Sequence, residues 1–323
     1  MSDLINKRDY NNLKDFYIPY RKTLDLPKDV TFGLEVEFKM DSFDDSYKVN
    51  FMDEDNAALT FMKELGYDYT YEVEYEINNH IELVSPVLTD NAKTWEELDS
   101  ILTFIKNNDG YYSGICGAHI HVGKNILDKE SSWLNFFKLW YIFEDDIFRF
   151  TNGENYKLRK NGKSKSRKID GICKNIIKDY EIFKKLEVTY LISNKSNSVN
   201  FPFPQRNDNS NGLLKTNGNP KANNILNTVE FRSPNGTINP VIWQNNVNFF
   251  TSFMLSCNSK NLDTEKLDYL YNNKSYATVD DLACFVFKDE LGKKCFLRQY
   301  YKDFDNPDFK VQDEKSRPFW MSY

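Results

Sequence analysis

In the stretch Thr31-Phe-Gly-Leu-Glu-Val-Glu-Phe-Lys-Met40, apolar residues stand at every second position. Its apolar residues, at positions 32, 34, 36 and 38, alternate with glycine or charged residues, a pattern typical of a β-strand with one face on a hydrophobic core. Glu35 and Glu37 therefore project from the other face, about 7 Å apart along the strand. Such a face can be polar simply because it meets water, but two carboxylates after Gly33 also suit a cation site.

Composition and charge restrict the class of protein. The 323 residues suffice for one large or two ordinary domains, and a hydrophobic content of 40% supports a packed core. A net charge of -6 disfavours nucleic-acid binding. No apolar run reaches the roughly 18 residues of a membrane span. The 5 cysteines include no CxxC pair, which favours a reducing compartment and argues against a zinc ribbon. We therefore expect a soluble, cytoplasmic protein that does not bind membranes; the sequence leaves the oligomeric state open.

Four further segments show the same alternation of apolar and polar residues. They are residues 71–77 (YEVEYEI), 80–84 (HIELV), 114–123 (GICGAHIHVG) and 228–233 (TVEFRS), and a short strand is also expected at 197–201. Their polar positions carry Glu72, Glu74, Glu76, Glu82, His119, His121, Glu230 and Arg232. Cys116 falls on the apolar side of its segment and is interpreted as a core residue.

The first two of these segments are predicted to form a hairpin. A two-residue turn would place Tyr75 beside Glu82 and mix the two faces. A three-residue loop over residues 78–80 avoids this, sets Glu76 opposite Glu82 and makes His80 a turn residue. Two opposed carboxylates are unfavourable unless a cation or a proton lies between them.

Helical periodicity is found between and after these strands. Apolar stripes predict a helix that is capped by Thr89 or Asp90 and runs to about Asn107, and a long aromatic-rich helix at 131–150. A further helix is predicted to begin after Asn239, with proline at its first position.

The polar residues suit divalent cations. Carboxylates with one or two imidazoles and no thiolate favour Mg²⁺ or Mn²⁺ over zinc. So many carboxylates on one sheet need compensating positive charge, which divalent ions carrying a nucleoside triphosphate would supply. Arg232 would then be placed to meet the transferring phosphoryl oxygens.

Each of these signals, taken alone, also has a structural explanation. Glu35 and Glu37 could form a solvated sheet face, although the other motifs favour the cation site. The two histidines of the 114–123 segment could be outward-facing polar residues. A cupin-type metal site is the other alternative, but the glutamate that such a site needs a few residues later is missing, since Lys124, Asn125 and Ile126 follow. Arg232 could be an ion-pair partner of Glu230. The basic loop 157–168 could be a solvated segment or a lid that attracts ATP or an acidic substrate.

Five motifs in order resemble the amidoligase family, which belongs to the glutamine synthetase-like carboxylate–amine ligases. They are Gly33-Leu-Glu-Val-Glu37, Ile81-Glu-Leu-Val-Ser-Pro86, Cys116-Gly-Ala-His-Ile-His-Val-Gly123, Asn197–Asn200, and Thr228-Val-Glu-Phe-Arg232 with Asn235-Gly-Thr237. The resemblance covers residues 31 to about 256, and the order of the motifs is what makes it specific.

The resemblance implies a fold and a division of the chain. The expected fold class is α+β, with an antiparallel sheet of the glutamine synthetase catalytic-core type and helices packed on its apolar face. Residues 1–30 would form an N-terminal arm, 31–256 the amidoligase-like catalytic domain, and 257–323 a C-terminal helical extension packed on it.

The resemblance also implies an activity. A carboxylate would attack the γ-phosphate of ATP to give an acyl phosphate, and an amine would then displace phosphate to form an amide. The expected partners are small-molecule or peptide carboxylates and amines. Open alternatives are a glutamate–cysteine ligase or a guanidino kinase built on the same core, or a non-catalytic protein that binds metal or nucleotide.

Site residues follow from the matched motifs. The implied ligands of Mg²⁺ (or Mn²⁺) are Glu35, Glu37, Glu82, His119 and Glu230. Residues 71–77 depart from the family's usual pattern, and Glu76, or alternatively Glu74, is expected to act as a substitute ligand there. His121, Arg232 and Asn200 are expected to contact ATP. Arg232 and Glu230 are the expected catalytic residues, with Arg232 stabilising the transferring phosphoryl group.

Overall fold

The computed structural model describes residues 13, 16–40, 63, 66, 70–76, 80–112, 116–152, 167–181, 197–201 and 228–301, with backbone alone for 74–76. An antiparallel sheet forms its centre. The strands are β1 (Phe32–Met40), β2 (Glu72–Glu76), β3 (His80–Val84), β4 (Gly110–Tyr111), β5 (Ala118–Gly123), β6 (Val199–Asn200) and β7 (Thr228–Phe231). Their order is β2-β3-β1-β5-β7-β6, and β4 pairs with the end of β1.

The strand registers bring the polar positions onto one face. On β1, Glu37 pairs with Glu82 of β3, and Glu35 pairs with His119 of β5. The next pairing, between β5 and β7, sets His121 opposite Glu230. Directly opposed residues of antiparallel strands project to the same side, so these side chains share one surface of the sheet.

The hairpin of β2 and β3 corrects the predicted register. Glu74, and not Glu76, lies opposite Glu82, and Glu76 pairs with His80. His80 is thus the first residue of β3 rather than a turn residue, and it is buried. Face matching was the right criterion, but it admits any shift by two residues, because a period of two leaves the faces unchanged.

Seven α-helices lie within the described part of the chain. They are α1 (Ala92–Asn107), α2 (Glu130–Asn152), α3 (Asp170–Lys178), α4 (Pro240–Cys257), α5 (Thr264–Asn272), α6 (Val279–Val286) and α7 (Glu290–Tyr300). Asn239 caps α4 as predicted, with Pro240 at the first helical position. The cap of α1 is Asn91, one residue beyond the predicted candidates. Asp90 instead accepts hydrogen bonds from the backbone of Leu24 and from the indole of Trp95.

Helices pack on the apolar face of the sheet, as predicted. Phe231 of β7 stacks on Phe250 of α4 with ring centroids 4.2 Å apart, and it also contacts Trp140 of α2. On the far side of α4, Phe249 stacks on Phe296 of α7 at 5.1 Å. The core is therefore continuous from the sheet to the last helix.

The segment before β1 is tied to the helices. Tyr20 donates a hydrogen bond to the backbone carbonyl of Trp95 in α1. The backbone N–H and carbonyl of Arg21 both bind the side-chain amide of Gln244 in α4. These contacts join residues on both sides of position 30, and the common core includes residues on both sides of position 256. The division of the chain at these two positions stays a prediction. Within the described residues, no helix has the length and apolarity needed to cross a bilayer.

Candidate active site

Glu35 lies at the centre of the polar face. One carboxylate oxygen is 2.7 Å from Nδ1 of His119, and the other is 2.8 Å from Nε2 of His121. A guanidinium nitrogen of Arg232 is 4.0 Å away. Burial would raise the pKa of Glu35, but the hydrogen bonds and charges of the two imidazoles outweigh burial and hold the pKa well below its usual range. Glu35 therefore stays ionised between its two histidines.

Two groups of potential metal ligands share Glu35. The first consists of Glu35, Glu82 and His119, and the second of Glu35, His121 and Glu230. Within each group, one ligand atom from every residue lies within 4.8 Å of the others. The donors are carboxylate oxygens and imidazole nitrogens, which suit Mg²⁺ or Mn²⁺.

Glu230 is held in place by its neighbours. It accepts a hydrogen bond of 2.7 Å from the side-chain amide of Asn200 on β6, and another from the guanidinium of Arg232. Asn200 is buried, and its Oδ1 has no hydrogen-bond partner among the described residues. The Oδ1 atom is thus an acceptor available to a ligand beside Glu230.

Glu37 faces a different set of partners. One oxygen accepts the backbone N–H of Gly117 at 2.7 Å and lies 3.1 Å from Nε2 of His80; the other lies 3.4 Å from Nε2 of His119. Glu37 is 4% exposed and belongs to neither group of potential ligands.

His80 is the residue of this region that the sequence analysis assigned wrongly. Burial would lower its pKa, but the neighbouring Cys116 side chain and the carboxylate of Glu37, 3.1 Å from Nε2, outweigh burial and raise its pKa to about 10. Cys116 is buried as predicted, but its thiol bonds to His80 and it does not belong to the apolar cluster. Alternation alone could have found His80, since it stands two residues before Glu82.

Comparison with known proteins gives the family. A profile of the family described as "Putative amidoligase enzyme" matches residues 42–254, more than half of the chain. The chain belongs to the amidoligase family. Two solved structures are also similar to this amidoligase. One, titled "GmaS/ADP complex-Conformation 1", is 14% identical with a TM-score of 0.45, covering 88% of this chain and 70% of the other.

The second structure, titled "Apo GmaS without ligand", is 12% identical with a TM-score of 0.42 and the same two coverages. Since both scores are below 0.5, the fold description rests on the amidoligase's own sheet and helices. No curated protein matches the chain. The profile begins after β1, so Glu35 and Glu37 stand before the matched region.

The structure brings together most of the predicted site residues of the amidoligase. Those that meet around Glu35 are Glu82, His119, His121, Glu230, Arg232 and Asn200. Glu37 lies 3.4 Å from Nε2 of His119 but belongs to neither group of potential ligands. Thr228 was not predicted, although its hydroxyl lies 3.0 Å from Nδ1 of His121. The side chains of Glu74 and Glu76, most of the basic loop 157–168, and residues 204–227 lie outside the described residues.

Proposed function

We propose that this amidoligase is an ATP-dependent carboxylate–amine ligase that forms an amide bond through an acyl phosphate. Family membership supports a carboxylate–amine ligase in general. The observation that carries the finer proposal is the pair of ligand groups that share Glu35, with the guanidinium of Arg232 within 4.0 Å of the same carboxylate.

The residues fit divalent cations. Each group offers carboxylate oxygens and one imidazole, and Glu35 is ionised without any metal because its two histidines stabilise the charge. Mg²⁺ or Mn²⁺ would bind with Glu35, Glu82 and His119, and with Glu35, His121 and Glu230. When bound, such ions neutralise the phosphate oxygens of ATP and polarise the bond that breaks.

Arg232 and Asn200 have roles that follow from their contacts. Glu230 orients the guanidinium of Arg232, which supplies positive charge where the transferring phosphoryl group gains negative charge. Asn200 donates to Glu230 and leaves its Oδ1 for a donor group of the nucleotide.

The reaction would consist of two displacements. An oxygen of the substrate carboxylate attacks the γ-phosphorus, and ADP leaves. The amine nitrogen then attacks the acyl carbon, phosphate leaves, and the nitrogen loses a proton. The substrates are a small-molecule or peptide carboxylate and amine. We place the reaction in the cytoplasm, a reducing compartment, because none of the 5 cysteines forms a disulfide.

Phosphate release and product mass test the proposal together. Purified protein with ATP and Mg²⁺ is incubated with panels of carboxylates and amines, or with a cell extract. We expect phosphate release that requires both substrates and a product whose mass equals the two substrates minus water. A product carrying an added phosphoryl group would indicate a guanidino kinase. A product formed from glutamate and cysteine would indicate a glutamate–cysteine ligase.

Glu35→Gln is the decisive variant because it weakens both ligand groups. We expect it to lower turnover by a factor on the order of 10² or more, since it removes a charge that both groups share. Glu72→Gln is the matched control, because Glu72 lies on the neighbouring β2 and is exposed. If Glu35→Gln changed neither turnover nor nucleotide binding, a non-catalytic role would replace the proposal.

A further inference from the structure

We propose that the cavity between the end of α4 and the start of α7 binds an α-amino acid with an apolar side chain, whose ammonium group faces Asp25 and whose carboxylate faces Lys288. The volume of this cavity is about 570 Å³. Small-molecule sites typically have volumes of roughly 300–1,000 Å³. None of the lining residues belongs to the sheet or to the site around Glu35, so binding here would not depend on the proposed reaction.

The wall of the cavity combines apolar surface with neutral polar groups. Leu255, Leu262 and Phe285 provide the apolar part, and the protein itself buries each of them only partly. Ser252 and Asn261 add a hydroxyl and an amide. Ligand sites commonly have this composition, because burial of the apolar surface gives affinity and a few polar groups fix the orientation of the ligand. The apolar wall is the part that an aliphatic or aromatic side chain would cover.

Two exposed charges of opposite sign, those of Asp25 and Lys288, face this cavity. In the described part of the chain, neither has an ion-pair partner, and the carboxylate of Asp25 accepts a hydrogen bond only from the hydroxyl of Thr23, at 3.4 Å. Asp289 also lines the cavity, but one of its oxygens accepts the N–H of Gly292 and caps α7. A ligand that carries both an ammonium and a carboxylate would satisfy both exposed charges, whereas an anion or a cation alone would meet a like charge.

The backbone of Asp25 is fixed by its neighbours. Its φ is 60°, a conformation that is uncommon for residues other than glycine. The backbone N–H groups of Leu24 and Leu26, on either side, donate to the carboxylate of Asp90 at 2.8 and 3.0 Å. These bonds hold the turn that carries Asp25 to the edge of the cavity. A fixed backbone lowers the conformational entropy that is lost when a ligand binds.

Cys284 provides a local measure of occupancy. It lines the cavity and is exposed, whereas Cys116, Cys173, Cys257 and Cys295 are buried. The full-length protein, without ATP or metal, is alkylated with iodoacetamide in the presence of leucine or phenylalanine, and the rate is followed by intact mass. At a ligand concentration of ten times Kd, we expect alkylation of Cys284 to slow by about 10-fold, because only the unoccupied protein reacts. Unchanged alkylation with every amino acid that has an apolar side chain would overturn the proposed site.

Analogues that share the side chain of leucine test the ligand class. 3-Methylbutylamine lacks the carboxylate, 4-methylpentanoate lacks the ammonium group, and glucose is an uncharged polar control. We expect the amine and the acid to protect Cys284 with an affinity about 10-fold lower than that of leucine, since each loses one charge-assisted hydrogen bond. We expect no protection by glucose. Protection by any of the three that equals the protection by leucine would overturn the assignment to a zwitterion.

Variants of the two charged residues locate the binding. Asp25→Asn and Lys288→Met should each weaken protection of Cys284 by leucine about 10-fold, because each removes one charge that faces the ligand. Asparagine also tolerates a positive φ, so Asp25→Asn should keep the turn. Asp29→Asn and Lys260→Met are the matched controls, because both positions are exposed and neither lines the cavity. Wild-type affinity for leucine in both Asp25→Asn and Lys288→Met would show that the ligand does not bind between these charges.

Discussion

Glu144, in the middle of α2, is the buried carboxylate that joins three separate parts of the chain. It accepts the backbone N–H groups of Ile169 and Asp170 at the start of α3, the indole N–H of Trp140, and the hydroxyl of Ser198 before β6. Burial raises its pKa above the ordinary 4.5, although these donors oppose the effect. The residue therefore fixes α3 and β6 to α2 from a single point.

Replacing Glu144 with glutamine should destabilise the protein. The new amide group would face the N–H of Asp170 and leave a buried donor unsatisfied, at a cost of about 1–3 kcal/mol. Because the folded protein binds the proton of Glu144 more tightly than the unfolded chain does, wild-type stability contributed by this group falls as pH rises from 4.5 through the raised pKa. Urea unfolding across that range should show the penalty of Glu144→Gln shrinking as pH rises. The exposed Glu96→Gln in α1 is the control, and an equal penalty at every pH would contradict the raised pKa.

Position 117, beside Glu37 and His119, has no room for a side chain larger than that of glycine. Gly117→Ala would place a Cβ atom 2.4 Å from Nε2 of His119, so the imidazole must move. We expect Mn²⁺ affinity to fall by about 10- to 100-fold, because the orientation of a metal-binding histidine depends on its surroundings. Calorimetric titration with Mn²⁺ measures the change. Gly171→Ala in α3 is the matched control, because a Cβ atom there meets nothing within 4 Å. Wild-type affinity in Gly117→Ala would mean that His119 does not need this position.

Single residues also show what a one-dimensional pattern can predict. Alternation correctly placed Glu35, Glu82 and His119 on one face, because a period of two fixes the side of a strand to which each residue points. It could not assign partners, since these depend on which strands lie side by side. Glu37 and His80 meet only because β3 pairs with β1 in one particular register.

At the scale of the element, α6 is fixed at its beginning by reciprocal contacts. Thr278 accepts the N–H of Asp281, and the carboxylate of Asp281 accepts the backbone N–H of Thr278. Lys266 of α5 forms an ion pair with the same carboxylate. Burial would raise the pKa of Asp281, but the bonds from Lys266 and Thr278 outweigh burial and lower the pKa below 3.8.

Asp281→Asn should therefore destabilise the protein only where the carboxylate is ionised. We expect a loss of about 1 kcal/mol at neutral pH, the usual value of a helix cap. Because the folded-state pKa is lowered, the contribution of Asp281 is present above 3.8 and is lost as pH falls through the folded-state value. Thermal unfolding between pH 2 and 7 checks this against Glu265→Gln, an exposed position on α5. A constant difference down to the lowest pH would contradict the ion pair.

The bounds of the helices could be predicted from the sequence where they depend on residues that are neighbours in the chain. The long helix expected at 131–150 extends over Glu130–Asn152, and Asn239 with Pro240 begins α4 as predicted. The start of α1 was missed because Asp90 binds Leu24, a residue 66 positions earlier in the chain. A capping pattern, which is local, cannot show that the carboxylate of Asp90 already accepts a hydrogen bond from a distant segment.

At the scale of the whole molecule, the structural unit is larger than the region that matches the family. The match covers residues 42–254, but β1 lies before it and supplies Glu35. Helices α5, α6 and α7 lie after it, and their apolar residues join the same core. From the sequence, the last helices were predicted to be an extension packed on the catalytic domain. Their share in the core could not be predicted, because no sequence motif indicates that two helices pack through aromatic rings.

We expect the sheet and the last three helices to unfold together. Phe296 of α7 is fully buried, stacks on Phe249 at 5.1 Å, and lies 4.9 Å from Phe150 at the end of α2. Phe296→Ala would leave a cavity against both helices and should lower the free energy of unfolding by about 3–5 kcal/mol.

Hydrogen exchange measured by mass spectrometry can locate the effect of Phe296→Ala. If the core is one cooperative unit, peptides from β1 and β5 should lose as much protection as peptides from α5 and α6, because all of them exchange through global unfolding. Tyr269→Ala on α5 is the control, since Tyr269 is 56% exposed and its loss should leave protection nearly unchanged. Faster exchange confined to residues 264–300 would show that the last helices open on their own. In that case β1 and the site around Glu35 would keep their stability without them, and the predicted division near residue 256 would be a true boundary of folding.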